Sequence, residues 1–329
     1  MEFYESRRAR RLRIERERHA KAQTLLRRVG VLGAAVVLML LVGVLWRAVN
    51  ASVEQAKIKQ QQLAAQQKIE SSPTYVINRD LPGEISKIDQ SLNLPINVAN
   101  DDLPTSSTVA VALIDLSSKN RGTVDYNGGT QFTSASTYKL FVAYEEVHAI
   151  ETGRLTWNSP LNGTTLDQCF TNMIHVSDND CPQDWIVKYS SFTKLTTSAQ
   201  SLGMSSATDF TYGNMRTSAD DLAKFLQELY QGKLMNSTDQ QKLLTLMENQ
   251  IYRAGIPAGI AANSADAGAY VADKVGFLDT LKNDAAIVYS PHGDYVLVIM
   301  TNGDTTVSGS TDWRFTAALA EWIDQQMSQ

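Results

Sequence analysis

In the stretch Ser134-Ala-Ser-Thr-Tyr-Lys-Leu-Phe141, Ser136 precedes Lys139 by three residues, and the small polar residues open what reads as a helix continuing through Val142-Ala-Tyr-Glu-Glu-Val147. A serine hydroxyl is a weak nucleophile at neutral pH until a base takes its proton. A lysine serves as that base only when burial or a second cation suppresses its own charge. Residues three apart on a helix share a face, so Lys139 would stand over Ser136. The spacing alone is a weak signal, since Ser191-Phe-Thr-Lys194 repeats it. The competing reading is a capped helix with a surface lysine.

Two further clusters supply what such a site would need. Leu166, Cys169, Phe170, Met173 and Ile174 have helical spacing and run into the polar turn Ser177-Asp-Asn179. Further along, a predicted strand carries Asp273-Lys274-Val-Gly276. Ser177 could pass a proton between the base and a leaving group, Asn179 could hold a substrate amide, and Lys274 could supply the second positive charge. Gly276 would let a substrate backbone lie close along the strand. Each has a plainer counterpart: an Asx turn after a helix, and an edge-strand lysine before a turn glycine.

The elements around these residues point to one architecture. Val109 to Leu116 reads as a strand, with Gly122 to Tyr126 before Asn-Gly-Gly129 as its hairpin partner. Helical patterns fill the middle, including Ser218 to Leu229 with Ser218 as N-cap. Strands return at Ala269 to Lys274, Ala285 to Ser290 and Tyr295 to Thr301, before an amphipathic helix from about Asp312 to Gln326. This order predicts an α+β fold: an antiparallel sheet flanked by helices, with an inserted all-helical subdomain.

The N-terminal part differs in kind. The chain has 329 residues, 43% hydrophobic, enough for a sizeable core. Its net charge of -5 hides a split, because residues 1–28 hold ten Lys/Arg against four Glu. Val29 to Trp46 then runs 18 residues without a charge, long enough for a membrane-crossing helix. The sequence therefore predicts a basic cytoplasmic tail (1–28), one transmembrane anchor (29–49), a Gln-rich stalk or linker (50–82) and an extracytoplasmic domain (83–329). A cleaved signal peptide fits less well, given the long basic segment and the lack of a small-x-small site. Nucleic-acid binding by the arginines is weaker too, because the apolar run adjoins them.

Together and in this order, SxxK at Ser136, SDN at Ser177 and KxG at Lys274 resemble the active site of the serine β-lactamases and penicillin-binding proteins, most strongly the class A β-lactamases. The resemblance extends from about Val109 to the C-terminus and includes Arg253-Ala-Gly-Ile-Pro257 and Asn283-Asp-Ala-Ala-Ile-Val288. It implies that Ser136 forms an acyl-enzyme with Lys139 as general base, and that Ser177 relays the proton to the departing amine while Lys274 tunes both. Backbone N–H groups of Ser136 and Phe277 would form the oxyanion hole. Asn179 and Gly276 would line the substrate, Lys282 would meet its carboxylate, and Arg253 would be structural, paired with Asp273. The implied substrates are β-lactams or peptidoglycan peptides, with no cofactor.

Two departures stand out. Val275 replaces the hydroxyl residue usual in KxG, and residues 184–217 contain no glutamate to activate a deacylating water. Their only acids are Asp184 and Asp209, and Asp209 is either a substitute base or a turn residue. A D-alanyl-D-alanine peptidase is therefore a competing expectation, and a non-catalytic binding protein on the same fold is a third. The four histidines, His19, His148, His175 and His292, lack metal-ligand spacing. Cys169 and Cys181 allow a disulfide outside the cytoplasm, though the place of Cys169 on an apolar stripe favours a buried thiol. The sequence does not fix an oligomeric state.

Overall fold

A computed structural model describes residues 2–92, 109–119, 121–211, 215–278, 281–302 and 313–329. The chain divides into two units between Ile69 and Glu70. The first is a single helix, α1 (Glu2–Glu70), which runs without a break through the residues of the expected tail and anchor and into the expected stalk as far as Glu70. The apolar side chains of its middle stretch are exposed, and it is long and apolar enough to cross a membrane.

The second unit opens with α2 (Pro73–Leu92), which buries Ile77, Leu81, Ile85 and Ile88. Their spacing makes one helical stripe, and it packs in the same core as Val111 and Leu113. The domain boundary expected at 82/83 thus falls inside a helix. Pro82 sits within α2.

The chain continues through β1 (Val109–Asp115), β2 (Thr123–Tyr126) and β3 (Phe132–Thr133) to a 3₁₀ turn, Ala135–Tyr138. A helical block follows: α3 (Lys139–Glu151), the hairpin β4 (Pro160–Leu161) and β5 (Thr164–Thr165), α4 (Leu166–His175), α5 (Asp180–Lys188) and α6 (Phe192–Ser201). Next come β6 (Arg216–Thr217), α7 (Ala219–Tyr230), α8 (Ser237–Glu248) and α9 (Ile256–Ala262). The chain closes with β7 (Tyr270–Leu278), β8 (Leu281–Tyr289), β9 (Tyr295–Asn302) and α10 (Arg314–Met327). Ser218 caps α7 as expected, its side chain accepting from Asp221 N. The expected start of α10 at Asp312 lies outside the described residues.

The main sheet is antiparallel in the order β2-β1-β9-β8-β7. Side chains alternate across a strand, so its two faces build two cores. Ala110, Ala112, Ala272, Ala285, Ile287, Val296 and Val298 pack on the helical block. Val109, Val111, Leu113, Ala286, Val288, Leu297 and Ile299 pack with residues of α2, α9 and α10. This is the expected α+β layering.

Cys169 and Cys181 form a disulfide, so the buried-thiol reading is corrected. The apolar stripe did bury Cys169, but the turn between α4 and α5 folds Cys181 back to it, with Cα atoms 5.3 Å apart.

Candidate active site

Three short segments converge on the helical side of β7. The first is the 3₁₀ turn with Ser136. It is tied down on one flank by the pairing of β3 with β6, extended by Ser134 N donating to Met215 O at 2.9 Å. On the other flank, Asn283 Nδ2 donates to Thr133 O at 2.8 Å and Ser134 O at 3.3 Å. No role was expected for Asn283 from the sequence. Its amide holds the turn that carries Ser136.

Gly276 also answers a need of the fold itself. A Cβ there would lie 2.6 Å from Ser134 O and 2.9 Å from both Ser136 N and Thr137 N. Only glycine lets the strand approach the turn this closely, so the crowding comes from the protein's own backbone.

The second segment joins α4 to α5. Ser177 adopts φ 58°, and Ala135, beside Ser136, φ 43°. These left-handed conformations are costly for residues with a Cβ, about 1–3 kcal/mol each, and tend to collect at functional sites. The third segment is β7, which contributes Lys274.

These segments, with Lys139 at the start of α3, bring five of the expected residues together. Lys139 Nζ lies 3.1 Å from Ser136 Oγ, 3.2 Å from Ser177 Oγ, 2.6 Å from Ser177 O and 2.7 Å from Asn179 Oδ1. Lys274 Nζ lies 3.0 Å from Ser177 Oγ and 2.8 Å from Val275 O. Both lysines are fully buried. Burial drives the Lys139 pKa down to about 7, helped by the positive charge of Lys274 and opposed by Asp178. Burial likewise lowers Lys274 to about 8, against the pull of Asp273 and Asp284.

Bond counting shows what this arrangement can do. A neutral amine has two N–H donors and one lone pair. The two shortest contacts of Lys139 are to carbonyl oxygens, which can only accept, so they take both donors. The lone pair is left for a hydroxyl, with Ser136 Oγ at 3.1 Å and Ser177 Oγ at 3.2 Å both in reach of it.

The Ser191/Lys194 pair is a plain helix cap by contrast: Ser191 Oγ accepts from Lys194 N at 3.1 Å at the start of α6. Arg253 pairs with Asp273 as expected and donates to Val271 O at 2.8 Å.

A cavity of about 580 Å³ opens over Ser136, Ser177 and Asn179. Phe277 forms part of its wall, as do Gln183, Met215, Tyr252 and Leu278, which the sequence reading did not single out. Tyr252 has no local signal, since it reaches Phe277 across the fold, ring to ring at 5.3 Å. Lys282 is not brought to this wall. It lies opposite Phe277 in the register, 2% exposed, with its main chain bonded on both sides to Thr301 Oγ1.

Asp209 is not in the described wall either. Its Oδ1 accepts from Thr211 N at 3.0 Å, Thr211 Oγ1 at 2.6 Å and Thr196 Oγ1 at 3.4 Å. The hydroxyl of Thr211 is the main reason its pKa is held low. The adjoining 212–214 lie outside the described residues.

Comparison with known proteins identifies the family and the fold. The family model described as the beta-lactamase enzyme family matches residues 97–323, so the chain belongs to that family. Among solved structures, PBP-A is similar at 21% identity over 73% of this chain and 94% of its own, with TM-score 0.59. A beta-lactamase from Burkholderia phymatum is similar at 18% identity, covering 77% of this chain and 99% of its own, TM-score 0.60. A substituted PBP-A, solved as an acyl-enzyme complex with penicillin G, is similar at 21% identity over 74% of this chain and 96% of its own, TM-score 0.58. The fold is that of class A beta-lactamases and PBP-A. No curated protein matches the chain.

Proposed function

We propose that the protein is a membrane-anchored serine acyl-transfer enzyme that opens β-lactams or cell-wall peptides through an acyl-enzyme on Ser136. The observation that carries this reading is the 3.1 Å contact between Ser136 Oγ and a buried Lys139 whose pKa is lowered to about 7. At neutral pH a large share of Lys139 is then neutral and able to accept the serine proton.

Ser136 Oγ adds to the substrate carbonyl as Lys139 takes its proton. Ser177, bonded to both lysines, passes that proton to the departing nitrogen. Lys274 keeps Lys139 low and supplies positive charge beside Ser177. The oxyanion is received by the N–H groups of Ser136 and Phe277. The first lies at the start of a helical turn, where N–H groups lack intrahelical acceptors. Asn179 holds the substrate's acyl amide through its Nδ2, its Oδ1 being engaged by Lys139. Lys282 keeps a proposed role as a more distant cation for a substrate carboxylate.

A second reading, a D-alanyl-D-alanine peptidase or transpeptidase of the penicillin-binding type, is favoured by the cavity wall. Among the described residues no carboxylate lines it, so nothing there activates water against the acyl ester. Acylation should outpace deacylation. Residues 29–49 of α1 are assigned to the bilayer with the arginines on the cytoplasmic side, which places the catalytic unit outside. Its separation from α1 at Glu70 and its disulfide support that placement.

The test is covalent labelling. Full-length protein in detergent micelles, incubated with a fluorescent penicillin and run on a denaturing gel, should carry label. Ser136→Ala should carry none, and equal labelling of the two would remove Ser136 from its role.

A further inference from the structure

Cys169 on α4 and Cys181 at the start of α5 stand twelve positions apart, and the segment their bond encloses carries Ser177 and Asn179. The main chain of this segment is held sparingly. Val176 N and Asp178 N both donate to the one oxygen of Asn172, at 3.1 Å each. Ser177 keeps its left-handed φ of 58° between them, a conformation that a residue with a Cβ holds only where its surroundings impose it.

The site itself weakens the start of α5. Asn179 is the N-cap, where its Oδ1 would ordinarily accept from the first backbone N–H groups of the helix. It makes no such bond, because Lys139 Nζ takes that oxygen at 2.7 Å. Asp178 Oδ1 substitutes, accepting from Cys181 N at 2.8 Å. Further ties reach Ser177 and Asn179 from Lys139 and Lys274. In the proposed reaction Lys139 alternates between amine and ammonium, so that hold changes as the proton moves. The disulfide is indifferent to the proton. Both cysteines are buried, with Cα atoms 5.3 Å apart, and their bond fixes the first turn of α5 against α4 on either side of Ser177. A short closed loop constrains the unfolded chain less than a long one does, which leaves the enclosed segment as the place where the bond acts most.

We propose that the Cys169–Cys181 disulfide positions Ser177 and Asn179 for acyl transfer, so that the enzyme acylates efficiently only in its oxidised form. The proposal rests on the acyl-enzyme reading and adds two positioning residues to it. Neither sulfur touches substrate or the reacting atoms. Each acts through the segment that carries Ser177 and Asn179.

The chain has no other cysteine, so reduction touches this bond alone. Full-length protein in micelles is treated with dithiothreitol, which breaks the S–S bond in two exchange steps. Cys169 and Cys181 become thiols and the reductant becomes a cyclic disulfide, and it is then removed in degassed buffer. Both side chains stay and only the bond is lost. Fluorescent penicillin should acylate the reduced protein about a hundredfold more slowly, the scale of a reacting group misplaced by about 1 Å. The inflection of the acylation rate near pH 7 should move upward, because a loosened segment admits water to the Lys139 amine. Re-oxidation should restore both. The Cys169→Ala/Cys181→Ala variant should match the reduced protein and ignore the oxidant, and circular dichroism follows the fold of every sample. An unchanged rate and inflection in the folded reduced protein or the folded variant overturn the proposal and leave the acyl-enzyme reading intact. Loss of fold in both also overturns it, since the bond would then hold the domain and not the segment. No adduct on the oxidised wild type overturns it together with the acyl-enzyme reading.

Discussion

Lys139 Nζ reaches Ser136 Oγ at 3.1 Å because the serine lies on a 3₁₀ turn and the lysine begins the α-helix that follows. With three residues per turn, 3₁₀ side chains at i and i+3 eclipse, whereas on an α-helix they are offset around the axis. The turn type therefore sets the distance between the two groups.

This proximity makes acylation depend on the protonation of Lys139. The acylation rate should rise with pH through an inflection near 7, since only the neutral amine accepts the serine proton. Lys139→Arg should lose acylation by about a hundredfold or more at every pH, because a guanidinium does not deprotonate. Stopped-flow labelling across pH 5–9 measures both. A flat profile would count against Lys139 as base.

Lys274 acts on that inflection from β7. Its positive charge is the second cause lowering Lys139, after burial. Removing it in Lys274→Met leaves the ammonium form of Lys139 less repelled, so the inflection should move upward. An inflection that stays near 7 would show that burial alone sets it.

Gly276→Ala inserts a Cβ within 3.0 Å of backbone atoms of Ser134, Ser136 and Thr137. Backbone cannot swing aside as a side chain can, so the turn must shift. Overpacking of this kind costs about 1–3 kcal/mol, read as a lower midpoint in urea. Acylation should fall further than stability, because the displaced atoms include the N–H of Ser136.

Asp209 is held by Thr211 and Thr196, outside the described cavity wall. Asp209→Asn should therefore leave the lifetime of the penicillin adduct unchanged. A longer-lived adduct in the variant would restore Asp209 as a water-activating base.

Glu146 is fully buried on α3, and neither carboxylate oxygen has a hydrogen-bond partner. Burial, with the Glu145 charge, raises its pKa well above the usual carboxylate range. The unfolded chain releases this proton at lower pH than the folded one does, so stability is lost as pH climbs above the ordinary glutamate value near 4.5. Glu146→Leu should raise the melting temperature at pH 7, with the gain shrinking toward pH 4. An equal gain at both pH values would mean that packing, not ionisation, is responsible.

The sheet was legible because its strands alternate or run apolar between clear turns, and α7 because Ser218 announces its start. The three motifs gave the serines and lysines of the site, each set by side-chain chemistry at short spacing. The rest depends on contacts that no local pattern encodes. The 3₁₀ turn looks like a helix start in sequence. Asn283 supports Ser134 from well over a hundred residues away. Tyr252 enters the cavity wall only when β7 and the segment after α8 pack together. The boundary at 83 erred because Pro82 and Gly83 resemble a break, yet the stripe of Ile77, Leu81, Ile85 and Ile88 holds the helix against the sheet.

The central claim, an acyl-enzyme on Ser136 that outlives its formation, is tested most directly by intact mass spectrometry of the full-length chain over time after adding penicillin. The account predicts one adduct with the mass of the whole drug, on the wild type and absent from Ser136→Ala, persisting without hydrolysed penicillin accumulating beyond the amount of enzyme. An adduct of equal size on Ser136→Ala, no adduct on a folded wild type, or many turnovers of hydrolysed drug would contradict it.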